Sequence, residues 1–291
     1  MVVLFGSEQG TDMATRIGLF GAAGHMGLTL VRAIDSSDSC TLAGGCERAD
    51  SPKVGGDLGT LAGLRPLGLP VTADLGALCE ASDVVVDYSA ASATMSLLPV
   101  AIARRTPLLV CTTGFSEPQR VALRDAGRFV PIMVGANMSR SVIAMYELVR
   151  TAARSLGDEF DIEIFDFHPW DKIDAPSGTA LELAEYAAEG RGGSLADLMV
   201  SARHGETGKR KRGSIGFSSA RGGDVPGENS VFFAGPGQRL EIISRVTDHK
   251  AFAAATLEAA AWIARQAPGY YGMDDMLRAR SAGTGPGPHA G

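Results

Sequence analysis

The sequence predicts an α/β chain: an N-terminal Rossmann-type, doubly wound parallel sheet followed by an α+β domain with a mixed sheet. Three observations carry that prediction. Short apolar runs alternate with helical stretches through residue 139. A glycine-rich turn closes the first apolar run and opens a helix. From about residue 140 the rhythm changes, and strand-like segments follow one another.

Residues 1–12, MVVLFGSEQGTD, have a short apolar start without a basic segment, which argues against a signal peptide. They are expected to be a loosely held extension ahead of a native start at Met13. The first domain, 13–139, then reads as a strand at 16–21, a helix at 25–34 and a strand at Cys40–Cys46. Further strands are expected at the apolar runs 84–86, 107–110 and 129–134. Apolar runs without polar alternation suit parallel strands covered on both faces. In the second domain, 140–250, an amphipathic helix spans 141–155 and 161–167 alternates as a strand. A helix at 178–188 and strand-like segments at 213–220, 230–234 and 240–245 complete it. A helix at 252–266 is expected to pack back on the first domain, and the tail 279–291, ending SAGTGPGPHAG, to be disordered.

Composition narrows the function. A formal charge of −6 argues against nucleic acid or an anionic membrane as the main partner. The basic run Lys209-Arg-Lys-Arg212 reads as a solvated loop. No apolar run reaches the roughly 18 residues that span a bilayer. Cys40, Cys46, Cys79 and Cys111 fit no zinc or thioredoxin spacing, so no metal is expected. Buried free thiols in a reducing cytoplasm are the natural reading.

Five motifs carry chemistry. Gly21-Ala-Ala-Gly24-His-Met-Gly27 is a variant of the dinucleotide fingerprint, whose small residues let a pyrophosphate approach a helix start. Glu47-Arg48 follows the second strand, where a carboxylate accepts ribose hydroxyls and an arginine pairs with a 2′-phosphate. Having both suggests NADH or NADPH as cofactor. Cys111-Thr112-Thr113-Gly114 sits at the carboxyl end of a strand, where open α/β sheets bind ligands. The richest stretch is Asp166-Phe-His168-Pro-Trp-Asp-Lys172-Ile-Asp-Ala-Pro-Ser177-Gly178-Thr179. It sets a proton donor and a fixed cation beside a helix start whose free N–H groups favour a carboxylate. Arg221-Gly-Gly-Asp224 reads as a tight loop held by ion pairs.

Taken together and in this order, these motifs resemble the dihydrodipicolinate reductase family, from about Arg16 to about Arg278. The specific part is Lys172-Ile-Asp-Ala-Pro-Ser-Gly-Thr-Ala180, supported by Gly205-Glu-Thr-Gly208, Arg221-Gly-Gly-Asp224 and Arg239-Leu-Glu-Ile242. The resemblance implies NAD(P)H-dependent reduction of a cyclic imine dicarboxylate in lysine and diaminopimelate biosynthesis. It also implies a second domain that binds substrate and assembles a homotetramer. His168 would be the general acid and Lys172 would stabilise developing charge or bind a carboxylate. Thr113, Ser177, Gly178 and Thr179 would hold substrate. Gly21, Gly24, Met26, Gly27, Glu47, Arg48, Thr112 and Gly114 would hold the cofactor.

The chain departs from the family pattern at four places. Pro169 stands where the family usually has a second histidine that helps hold a carboxylate. Asp171 directly precedes Lys172, where it could neutralise the lysine. Cys111 replaces the usual glycine, putting a side chain where it could crowd the cofactor, and His249 stands where some members carry an arginine. Pro169 and Asp171 keep open a paralogous reductase of another cyclic imine acid. A non-catalytic NAD(P)H-binding protein is the other alternative, and the retained His168 and Lys172 count against it.

Overall fold

The computed structural model describes residues 14–135, 137–201 and 203–281. The first sheet has seven parallel strands in the order β12-β6-β5-β4-β1-β2-β3. They are β1 (Thr15–Phe20), β2 (Cys40–Cys46), β3 (Val71–Thr72), β4 (Val84–Asp87), β5 (Leu108–Val110), β6 (Pro131–Val134) and, much later in the chain, β12 (Gly269–Tyr271). Every residue of β4 is buried, as a strand covered on both faces demands. One face carries α1 (His25–Asp35), α2 (Leu58–Leu61) and α9 (Lys250–Ile263) over Ile17, Leu19, Val84 and Val86. The other carries α3 (Leu75–Ala81), α4 (Ala91–Arg104) and α5 (Glu117–Ala126) over Phe20, Val85, Leu108 and Ile132.

The second sheet is mixed, in the order β11-β10-β7-β9-β8. Its members are β7 (Asp161–His168), β8 (Met199–Val200), β9 (Ile215–Arg221), β10 (Gly227–Gly235) and β11 (Gln238–Val246). β10 pairs antiparallel with both β7 and β11, whereas β7 and β8 each run parallel to β9. Along β7 burial alternates strictly, so Ile162, Ile164, Asp166 and His168 face inward. There α6 (Arg140–Leu156) and α7 (Gly178–Gly190) cover the sheet around Val231 and Phe233, while α8 (Leu195–Leu198) packs at the rim. The inward row is apolar until its last two members. That change places polar chemistry at the end of β7.

Several expectations need correction. The strand expected at 129–134 begins only at Pro131, and Phe129 is exposed because it lies in the turn after α5, its N–H still bonded to the Ala126 carbonyl. The helix expected at 252–266 begins at Lys250 and ends at Ile263. The tail expected to be disordered from 279 starts inside α10 (Met273–Ser281), whose Met273 and Met276 are buried in the first core. The extension 1–12, the start at Met13 and the tail beyond 281 lie outside the described residues. All four cysteines are buried and free, and burial pushes the Cys79 thiol up to about 11.

One partly buried acid outside the site sets a pH dependence. Glu182 on α7 accepts the hydroxyl of Tyr146 on α6. Burial pushes its carboxyl from the ordinary 4.5 up to about 7, with Glu185 and Asp274 adding and Tyr146 and Arg120 opposing. A raised folded value favours the protonated form, so this group's contribution to stability is greatest below 4.5 and is lost as pH rises to about 7. Glu182→Gln keeps an acceptor for Tyr146 and is expected to stabilise the protein by about 1–3 kcal/mol near pH 8. Near pH 5 its effect should be much smaller. Thermal unfolding at both pH values checks this, and equal shifts would contradict it.

Candidate active site

The glycine turn is built for close approach. Gly21 takes a φ of +77°, and a Cβ there would stand 2.6 Å from the Tyr88 carbonyl oxygen. A Cβ on Gly27 would stand 2.3 Å from the Gly21 oxygen, so α1 lies against the turn only because Gly27 has none. Gly24 caps α1 without a side-chain hydrogen bond. The first N–H groups of α1 are therefore left for an anion, and the small-residue cradle fits a dinucleotide pyrophosphate. Glu47 Oε1 accepts from the Ala23 N–H at 2.9 Å, and Lys53 Nζ donates to the Ala23 carbonyl at 2.5 Å. Arg48 projects into solvent, 3.5 Å from Asp50.

Asp87 organises the ends of β4 and β5. Its fully buried carboxylate accepts from the Ser89 N–H at 2.8 Å, the Thr94 hydroxyl at 2.6 Å and the Thr112 hydroxyl at 3.2 Å. Burial nonetheless pushes its carboxyl up. Thr112 is thus turned inward, while its neighbour Thr113 is exposed at the cleft. Gly114 closes the turn with a φ of +80°. Cys111 is buried in the first core and absent from the cleft lining, so its side chain does not crowd the cleft.

His168 ends β7. Its Nδ1 lies 2.9 Å from Asp166 Oδ2, which also accepts from Arg221 Nη1 at 3.0 Å, while Ser219 donates to Asp166 Oδ1. Burial alone would raise the Asp166 carboxyl, but hydrogen bonds from His168 and Ser219 and the charge of Arg221 hold it below its ordinary value. An ionised Asp166 keeps the proton of His168 on Nδ1 and leaves Nε2 as the working nitrogen. Gly227 flanks that nitrogen: a Cβ there would reach within 3.4 Å of Nε2. Arg221 also donates to the Asp174 carbonyl at 2.6 Å, tying the loop after His168 to the carboxylate that orients it.

On that loop Lys172 Nζ lies 2.7 Å from Asp174 Oδ1. Asp174, not Asp171, is the acid that partners the lysine. Ser177 caps α7 by accepting from the Ala180 N–H at 3.1 Å. The N–H groups of Gly178 and Thr179, two residues and one residue earlier, remain free of that cap. Asn137 Nδ2 donates to the Thr179 hydroxyl at 2.9 Å and so fixes the helix start against the first domain.

A cleft of about 290 Å³ joins these pieces. It opens beyond the carboxyl ends of β4, β5 and β6, where Tyr88, Thr113 and Asn137 line it, and His25 and Met26 border it from α1. Across from them stand His168, Lys172, Asp174, Ser177, Gly178 and Thr179. Of the residues expected from sequence, Met26, Thr113, His168, Lys172, Ser177, Gly178 and Thr179 meet here. Gly21, Gly24, Gly27 and Glu47 form the neighbouring turn, and Arg48, Thr112 and Gly114 do not line the cleft. His249 does line it, with its ring 4.8 Å from that of His25; burial first, and His25 second, lower its pKa.

A hollow of about 880 Å³ lies at the opposite, amino-terminal ends of the parallel strands, against Thr15, Asp83, Pro107 and Pro131. It is larger, but none of the expected chemistry reaches it, and ligands of open α/β sheets sit at the other end. Asp166, Asp174, Asn137 and Lys53 escaped the sequence reading of the site. Asp166 stood in the motif already, two residues before His168, a spacing that puts both on one face of a strand.

Two family models, described as the N-terminus and the C-terminus of dihydrodipicolinate reductase, match residues 15–138 and 141–277. A 4-hydroxy-tetrahydrodipicolinate reductase of Anaeromyxobacter dehalogenans (strain 2CP-C) is 42% identical over 266 residues, covering 91% of this chain and 98% of its own. One of Rhodopseudomonas palustris (strain BisB18) is 43% identical over 262 residues, 90% of this chain and 97% of its own. In fold the chain is similar to a dipicolinate-bound dihydrodipicolinate reductase from Paenisporosarcina sp. TG-14. The TM-score is 0.65 at 20% identity, covering 89% of this chain and 98% of that one.

Proposed function

Because the chain belongs to the dihydrodipicolinate reductase family, we propose that it reduces 4-hydroxy-tetrahydrodipicolinate to tetrahydrodipicolinate in lysine and diaminopimelate biosynthesis. It is an NAD(P)-dependent oxidoreductase. The observation that carries the reading is the meeting of a carboxylate-held His168, the Lys172 cation and the uncapped N–H groups of α7 in one cleft. A dianion needs the cation and the helix start, and a conjugate reduction needs a proton donor.

When bound, the cofactor supplies the hydride. The glycine turn and the start of α1 would hold its pyrophosphate, and Glu47 would accept its ribose hydroxyls. Arg48, exposed next to Glu47, and Lys53 beside the same turn would be the cations for a 2′-phosphate, which supports use of NADH or NADPH. Thr113, Gly178 and Thr179 orient the substrate, with one carboxylate on the α7 start and Lys172 beside it. His168 gives up its Nε2 proton to the ring carbon next to the one that is reduced, and Asp166 offsets the imidazolium charge. The ring hydroxyl leaves as water together with a proton from the neighbouring ring carbon, and the double bond so formed, conjugated with the imine, is the one that takes up the hydride and the His168 proton.

The outer face of the second sheet supports a homotetramer. Phe165, Phe232 and Ile243 are left partly or wholly exposed there, on strands whose other face is core. Four buried, unpaired thiols support a reducing, cytoplasmic setting. The activity is tested by following oxidation of NADH and NADPH on addition of freshly generated 4-hydroxy-tetrahydrodipicolinate. Turnover with at least one cofactor is expected; tight cofactor binding without oxidation contradicts the reading.

A further inference from the structure

Asn229 is the one side chain of the cleft left with a buried, unanswered polar atom among the described residues. It sits on β10, directly opposite Asp166 of β7 and Ser244 of β11, and is 1% exposed. Its carboxamide lies on the inward face with Gly227 and His168 and lines the cleft. Both neighbours in its row are engaged elsewhere. Asp166 serves His168, Ser219 and Arg221, and the Ser244 hydroxyl is 2.7 Å from that of Ser141. Asn229 Oδ1 is buried with no hydrogen-bond partner.

An orphaned buried acceptor costs on the order of 1–3 kcal/mol, so in a ligand cleft it marks a place where the ligand donates. We propose that Asn229 is a specificity-determining residue that accepts a hydrogen bond from the ring of the cyclic substrate. The donor cannot be a carboxylate, which only accepts when ionised. That leaves the ring hydroxyl or a protonated ring nitrogen. Asn229 thereby reads the part of the substrate that distinguishes it from an aromatic dicarboxylate such as dipicolinate, while Lys172 and the α7 start read the charge. The inference rests on the function proposed above.

The test compares wild type with Asn229→Leu, a near-isosteric replacement that removes both polar atoms. Three results are expected. The melting temperature does not fall, because an unsatisfied acceptor is replaced by an apolar group. The kcat/KM for 4-hydroxy-tetrahydrodipicolinate falls about ten-fold, mainly through KM. Competitive inhibition by dipicolinate, which has neither a hydroxyl nor a protonated ring nitrogen, stays within about two-fold of wild type. An unchanged KM overturns the proposal. So does a parallel loss of dipicolinate affinity, which would assign the amide to a carboxylate. If leucine is not tolerated, Asn229→Ala gives the same comparison of substrate with dipicolinate. Wild type that fails to turn over the cyclic substrate overturns the proposed function itself, whatever the variants do.

Discussion

His168→Gln is expected to lower kcat by about 10²–10⁴-fold, the usual worth of a placed general acid, while leaving NADH and NADPH affinity within about two-fold. Glutamine keeps a polar group near the cleft but has no proton to give at a carbon. The separation of effects follows from position: His168 ends β7 in the second domain, whereas the cofactor turn belongs to β1 and α1. Steady-state kinetics combined with fluorescence titration of the reduced cofactor reads both quantities. A variant that loses cofactor binding along with turnover would make His168 a structural residue. One that retains most of its kcat would transfer the proton to another group.

The second large effect is expected at Lys172. Lys172→Met keeps the aliphatic stem and removes the charge, and should lower kcat/KM by roughly 10²-fold. Two terms combine. The substrate loses a charge-assisted contact, commonly worth about 1.5–3 kcal/mol. Asp174, left without its partner at 2.7 Å, then faces a dianion across the same cleft. This second term is separable. Lys172→Met combined with Asp174→Asn should recover part of the loss, since the variant removes the repulsion along with the cation. A double variant worse than the sum of the two single changes would show that Asp174 serves the site in its own right.

Much of this architecture is legible in the sequence because its signals are local. The buried run of β4, the glycine turn and the period of α6 each declare an element within a few residues. The chemistry from His168 to Thr179 is equally local, since one strand end, one loop and one helix start carry it. What escapes is whatever depends on register between distant strands. Arg221 reaches Asp166 only because β9 runs parallel to β7 with His168 beside Arg221, and Asn229 meets that row only through the antiparallel pairing of β10. The loop around Arg221 reads as a self-contained ion-paired turn. It is in fact the brace between the oriented histidine and the lysine loop. Similarly, β12 has three residues and α10 opens Met-Asp-Asp, too short and too polar to announce that they close the sheet and core. Thr112 and Thr113 look equivalent as letters. The buried Asp87 decides between them by taking one hydroxyl inward.

The central claim is that one cleft joins a hydride from the cofactor to a proton from His168 on neighbouring carbons of a cyclic dianion. Isotopic mapping of the product tests it most directly. Wild-type enzyme is given cofactor deuterated at the transferred position in ordinary water, and then unlabelled cofactor in heavy water. The account predicts one cofactor-derived deuterium on one ring carbon in the first case, and one solvent-derived deuterium fixed stereospecifically on the adjacent carbon in the second. Product without cofactor-derived label, or with solvent label scrambled over both faces of the adjacent carbon, would contradict it.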